Sequence, residues 1–467
     1  MRWRLGRRSG KPLSRARKIA IFSLFGLSGV VALILTVTGI GPYDMPQQAR
    51  RLPELLEESE RLGLPMTQAD LKPQVQIPDD QNAAIEVVRL AEEAANTNVT
   101  VIPKYYLAGT PERADLEADI QTVSPFLDGI AEELAGKPEW FIDRDYDLGL
   151  VLPLVEYGDF KAVAKYLAFR SFIRAERSDI EGALGDLRAG RELRLRILND
   201  PVLVASLVVI AIDAIMLRAS EHVMTAWADD PDALAQLAAV LAETDHRIDP
   251  RPALRGEFYY LLAIMRNLKQ YGGLTGLGQG TSGYGGVVLD PDNVRRSGLP
   301  SDMFARAFSA AIAEEWNALF RSFEGLDEPP RGWGAGIDRR AKRMKERYKV
   351  SETYVQILMP VFGKVDVTLT RNDVVQQLRK ALVKVLRFRA ENGHLPASLE
   401  EAGAAFPDVF NEGAQLQAIL TEDEVRIWSI GPDGIDDLGV PRDTVNRDRD
   451  DLAVFWPATK RTEYEGR

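Results

Sequence analysis

The sequence predicts a mainly α-helical protein: one N-terminal transmembrane helix, a helical-hairpin extracytoplasmic domain and a small C-terminal α+β domain. Three observations predict this. Residues 1–18 are basic and lead into an uncharged apolar run at 19–40. From residue 85 onward apolar residues recur mostly at helical spacing. Strand-like alternation bounded by turn residues comes only near the C-terminal end. The expected boundaries are a basic cytoplasmic segment at 1–18, the transmembrane helix at 19–40 and a juxtamembrane linker at 41–84. The helical domain follows at 85–362 and the α+β domain at 363–467.

The first element is set by charge and length. Eight Lys or Arg and no acid occupy residues 1–18, and 22 uncharged positions follow. At about 1.5 Å per residue that run crosses the roughly 30 Å hydrocarbon core of a bilayer. The basic flank stays in the cytoplasm, which puts everything after Gly41 on the outer side of the cytoplasmic membrane. A cleaved signal peptide is the competing reading, but its apolar region is about 7–15 residues with a small-x-small cleavage site. The chain's formal net charge is −11, and removing the positive charge of residues 1–18 leaves −19 on the rest. An acidic exposed part lacks the basic footprint of a nucleic-acid binder.

The linker carries Pro42, Pro46 and Pro53 and an acidic helix near 54–63. The helical domain opens at 85–96, where Ile85, Val88, Leu90 and Ala91 approach helical spacing. Three helices follow between 158 and 228. The first has Val163, Leu167, Phe169 and Ile173 on its apolar face. Asp179 suits the start of the second, which carries Ile180, Leu184, Leu187, Leu193 and Leu195 with arginines at the outer positions. Asp200–Pro201 opens the third, proline being tolerated in a first turn. This last stretch, 201–218, is apolar enough to suggest a second membrane span. Asp213 and Ser206 interrupt it, which favours a core helix. Further helices are expected at 231–245 and 253–271, then a glycine-rich loop at 272–286 and a basic helix face at 338–350. The glycine loop follows a helix and lacks the Lys-Ser/Thr of a phosphate cradle.

Composition removes several chemistries. With 467 residues, 45% apolar and 27% charged, the chain is globular and long enough for a large core. It has no cysteine and three histidines, which excludes disulfides, thiolate metal sites and a Cys nucleophile and nearly excludes multi-His sites. Glu243, Asp245, His246 and Asp249 cluster at a helix end, where capping is the simpler role than catalysis.

The C-terminal domain is the most informative. Residues 367–393 form an amphipathic helix with Val374, Leu378, Ala381, Leu382, Val385 and Leu386 on one stripe, ended by Asn392–Gly393. Ser398 and Glu401 make a capping box for a short helix. Glu424 to Ser429 reads as a strand with Val425, Ile427 and Ser429 on one face, closed by a turn at Gly431–Gly434. Asp433, Asp436, Asp437, Asp450 and Asp451 crowd the stretch before a last strand at 452–457.

This order of long helix, NGHLPASLEE, strand, WSIGPDGIDD and acidic pair resembles the C-terminal domain of the major pseudopilins of bacterial type II secretion. It covers 367–457, roughly a fifth of the chain. In that family the corresponding loop closes around a calcium ion. The resemblance implies a pseudopilin-like α+β fold with Ca2+ as cofactor. It matches Asp433, Asp436 and Asp437 to the first acidic cluster and Asp450 and Asp451 to the acids before the last strand. The helical middle resembles membrane-anchored bacterial proteins that append such a tail, which assigns no activity. Independently, the span 433–451 holds seven Asp and one Asn, a donor set suited to the six to eight oxygens calcium takes. A solvated polar loop would have the same composition, and both readings stand.

The expected function is a non-enzymatic, membrane-anchored scaffold or interaction protein of the cell envelope with a structural calcium site. Its partners would be the lipid bilayer through 19–40 and an envelope protein, with no nucleic acid. The alternatives are an envelope enzyme or ligand receptor with a site between helices and the glycine loop as lid, or a component of a secretion machine.

Overall fold

The computed structural model of the protein describes residues 45–97, 99, 111–243, 247–267, 301–328, 331, 333, 349–440 and 451–461. The expected basic segment 1–18, transmembrane helix 19–40, glycine loop 272–286 and nearly all of the basic face at 338–350 lie outside the described residues. What is described is mainly helical, with a three-stranded sheet near the C-terminal end.

Helix α1 (Met45–Arg61) falls inside the stretch expected to be a linker. It docks on α9 (Ser301–Arg321). Buried Ser59 donates to Asn317 Oδ1 (2.7 Å), Asn317 Nδ2 donates to the Leu55 carbonyl (2.9 Å), and Arg51 forks onto Glu314. Helix α2 (Ala83–Asn96) is capped by Asn82, whose Oδ1 accepts from Ala84 N. Its buried stripe is Ala84, Val87, Ala91 and Ala94, and Ile85, expected on the apolar face, is 51% exposed. Alanine rather than the larger β-branched residue makes the close contact with α3 (Pro111–Gly136).

The three expected helices are α4 (Glu156–Glu176), α5 (Ile180–Ile197) and α6 (Leu203–Ala226). Asp179 caps α5 by accepting from Gly182 N at 3.0 Å. Two expectations are corrected here. The arginines of α5 do not all take outer positions: Arg194 is buried because it meets Asp213 of α6. And α6 begins at Leu203 rather than at Pro201, because buried Asp200 serves Arg144 and Tyr157 instead of the helix end. Among the described residues α6 is the one helix long and apolar enough to cross a membrane, and 61% of its apolar window is buried. It packs on α4, α5, α8 (Arg251–Asn267) and α10 (Lys349–Asn392). Asp213 meets Arg194 at 2.7 Å and Asn372 at 2.9 Å, as a core helix requires.

Helix α7 (Pro231–Glu243) packs across α10. Helix α10 begins well before the expected position, so residue 363 lies inside a continuous helix. Val374, Leu378, Ala381, Leu382, Val385 and Leu386 are all fully buried along its stripe. Gly393 ends it at φ +77°, donating its N–H to Arg389 O at 2.8 Å. Beyond it, Glu401 N donates to Ser398 Oγ (3.4 Å) and the Glu401 carboxylate accepts from Ala397 N, but the segment forms successive turns rather than the expected short helix.

The sheet is antiparallel in the order β1 (Gln417–Thr421), β2 (Glu424–Ser429), β3 (Leu452–Trp456). Thr421 pairs with Glu424 around a two-residue turn, and Ile427 with Val454. Period two sorts the two faces. Val425, Ile427 and Val454 join the main core, whereas Trp428, Ala453 and Phe455 form a small second cluster on the other face. The main core is continuous from Ala49 to Val454, so the helices and the sheet share one interior.

Candidate functional site

The acidic loop covers the second face of the sheet. It leaves β2 through Ile430 and turns at Gly431 and Gly434, both at φ +72°. Asp408, which the sequence reading passed over, pins this exit: its carboxylate accepts from the Ser429 hydroxyl (2.6 Å) and from Ile430 N (3.1 Å). Asp433 is exposed and accepts from Ile435 N at 3.1 Å, holding its own turn. Asp436 Oδ1 accepts from the Trp428 indole (3.0 Å) and from Leu438 N (2.9 Å). Leu438 and Gly439 then take the left-handed conformation, at φ +58° and +69°. Gly439 lies so close to the Trp428 ring that a Cβ would meet it at 2.8 Å, so the loop needs glycine there.

Asp451, at the entrance to β3, receives the Gly439 N–H on Oδ2 at 2.8 Å. It is 4% exposed, and its Oδ1 is buried with no hydrogen bond. Burial pushes its pKa up to about 6; the Gly439 and Asp437 amides oppose the shift, and the charges of Asp437 and Asp436 add to it. Burial also acts to raise Asp436, but the Leu438 amide with the Trp428 and Gln417 side chains holds that carboxyl below its ordinary value.

Of the five predicted ligands, Asp436, Asp437 and Asp451 are thus brought close enough for their charges to interact. Asp433 is turned to the Ile435 amide, and Asp450 lies outside the described residues. Among the described residues no three carboxylate or imidazole groups converge on one metal-sized point. The residues do fit an oxygen-seeking cation in kind, since Asp451 offers a buried, unbonded carboxylate oxygen beside two further carboxylates.

The second cluster singled out by sequence resolves into structure-building roles. Glu243 meets Arg191, and Asp249 caps α8 by accepting from Arg251 N at 2.9 Å. Asp245 and His246 lie outside the described residues.

Sequence reasoning missed the charges inside the helical body. Arg144 binds Asp200 through Nε (3.0 Å) and Nη2 (2.8 Å) and also reaches Glu156, while Tyr157 donates to Asp200 at 2.6 Å. Arg170 clasps Asp186, whose pKa burial raises against the pull of Arg170 and Arg174. Arg461 clasps Glu221 and ties the end of the described chain to α6. One signal was available: an acid standing on an apolar stripe, as Asp186 and Asp213 do, calls for a buried cation.

The chain gives no significant match to any family model, curated protein or solved structure.

Proposed function

We propose that this protein is a non-enzymatic scaffold of the bacterial cell envelope. In this reading residues 19–40 anchor it in the cytoplasmic membrane, the helical body faces outward to meet a protein partner, and a calcium ion locks the pseudopilin-like C-terminal unit. The supporting observation is Asp451: a carboxylate this buried, with an unbonded oxygen and two acidic neighbours, is destabilising unless a proton or a cation neutralises it. In this reading Asp436 and Asp437 turn onto the ion beside Asp451 when it binds, with Asp433 and Asp450 as the further ligands that the resemblance implies. Calcium would neutralise the charge and fix the loop over Trp428. The helical body agrees with a scaffold, because buried pairs such as Arg170–Asp186 and Arg194–Asp213 tie its helices together.

The test is thermal unfolding of the full-length protein in detergent with EDTA and then with calcium. At a Kd of about 0.1 mM and about 2 mM calcium, linkage adds ~1.8 kcal/mol. For a chain of this size that is an upward shift of about 2 °C. Asp451 sets the pH dependence. Its folded pKa lies above the unfolded value of 3.8, so its protonated form stabilises the fold below about pH 4, and that stability is lost as pH rises through about 6. The calcium shift is therefore expected at pH 7, to fade by about pH 4.5, and to vanish in Asp451→Asn. A calcium-independent midpoint at pH 7 would leave the loop as solvated polar structure and remove the ion from the reading.

A further inference from the structure

The sheet has an open side at β1, which is bonded to β2 and to no other strand. Thr421 and Glu424 flank a two-residue turn, which makes them a hydrogen-bonded pair. The alternation of an antiparallel ladder then turns the main-chain groups of Ile419 and Gln417 toward β2 as well. Those of Ala418 and Leu420 point away from the sheet. Leu416, the next residue of that outward series, shows the direction: its N–H donates to the Phe406 carbonyl at 2.9 Å. Among the described residues no main-chain group meets Ala418 or Leu420 on that side. The stretch 416–421 carries no charge and no proline, two devices that keep an edge from pairing.

The surroundings of this edge are acidic. Glu422 and Asp423 are exposed at the turn that ends β1. On the second face of the sheet, Asp436 accepts from the Gln417 side chain of β1 and from the Trp428 indole of β2, so the acidic loop reaches the outer strand. Asp433 and Asp436 are exposed on that loop, with Ile435 and Leu438 as exposed apolar neighbours. Two copies of the edge would bring like charges together, which opposes self-pairing. A strand with cationic side chains meets the same acids favourably. We propose that β1 is a docking edge that takes an extended, basic segment of a partner protein as a further strand. Its main chain bonds Ala418 and Leu420, and alternate Lys or Arg side chains lie over the acidic loop. This gives the chemistry of the protein partner in the scaffold reading, on which it rests, and needs neither the anchor nor the ion.

The experiment uses the full-length protein in detergent with EDTA present, so that the edge is read apart from the ion. The probe is a fluorescein-labelled peptide, Lys-Val-Lys-Val-Lys-Val-Lys, followed by fluorescence anisotropy, with hydrogen exchange of the 416–421 amides as a second readout. One comparison peptide has proline for the central valine and the same charge; another has glutamate for every lysine. The expected result is saturable binding that slows exchange at Ala418 and Leu420, and binding about tenfold weaker for both comparison peptides. Leu420→Pro removes an outward N–H and leaves the β1–β2 ladder its bonds, so it should weaken binding about as much. Glu422→Gln combined with Asp423→Asn should weaken it about threefold. If Leu420→Pro does not fold by circular dichroism, Ala418→Pro and the proline peptide decide. Equal binding of the two basic peptides would mean charge attraction without a strand and overturn the proposal. So would a wild type that binds neither, or binding that Leu420→Pro keeps. A wild-type dimer in sedimentation that Leu420→Pro abolishes would also overturn it, because a second copy would then cover the edge. The calcium-dependent midpoint, measured separately, judges the scaffold reading whatever the peptide does.

Discussion

His222 illustrates how little a residue's type says before its surroundings are known. It is 7% exposed on α6, with its ring 5.0 Å from that of Phe172. Burial, then the positive charges of Arg218, Arg461 and Arg113, drive its pKa down to about 3. The unfolded chain, with an ordinary histidine near 6.5, binds the proton more tightly. His222 therefore contributes stability that is complete above about pH 6.5 and falls away as pH drops toward 3. Urea unfolding should lose about 2–3 kcal/mol between pH 7 and pH 4.5 on its account. His222→Gln should flatten that part of the profile. Parallel curves for the two proteins would mean that the imidazole is hydrated in the fold. In the sequence this histidine sits in an unremarkable SEHVM. Only the packing of α4 beside α6 and the return of Arg461 give it an environment.

At the scale of elements, glycines decide two close approaches on different terms. Gly256 faces the turn that starts α6, and a methyl there would sit 1.4 Å from the Pro201 carbonyl oxygen. Backbone cannot swing aside as a side chain can, so Gly256→Ala must separate α8 from the 200–202 turn. Overpacking of this kind costs about 1–3 kcal/mol, and more where backbone must move. Gly190 is close to Met216, its methyl contact being 2.6 Å from Cε, the far end of a flexible side chain. Gly190→Ala should therefore lower the thermal midpoint clearly less than Gly256→Ala, with helix propensity favouring alanine by about 1 kcal/mol in both. Equal effects would count against the tight α8 contact. Neither glycine was legible as a contact, because both lie within helical patterns whose neighbours are distant in sequence. The elements themselves were legible. The stripe of α10 from Val374 to Leu386 and the Asp179 cap of α5 stand as the periodicity and capping rules expect. Strand β1 was missed because Gln417 to Thr421 alternates weakly and is only partly buried.

For the whole molecule the continuous interior has a thermodynamic consequence. Helix α10 packs on α6 and α7 and also on β2 and β3. Ala458 N bonds Thr225 (2.9 Å), and Arg461 holds Glu221. Helix α1 is joined to α9 across more than 250 residues of sequence by Ser59 and Asn317. Units that share a helix and a core unfold together. Calorimetry should give one transition, and far-ultraviolet circular dichroism and tryptophan fluorescence should trace coincident curves. Two separated transitions would mean that the sheet and the helical body are independent despite their shared interior.

By itself the sequence determined the helical class, most helix positions, the β2 and β3 strands and the acidic loop between them. These follow from periodicity, capping and turn chemistry, which act over a few residues and are written locally. Tertiary structure alone decided that Asp213 lies beside Arg194, that Asp451 is buried against Gly439, that α1 belongs to the body and that β1 is an open edge. The physical reason is range. Burial and the energy of a charge depend on what surrounds it in space, and those surroundings are assembled from segments as far as 263 residues apart, as between Arg51 and Glu314.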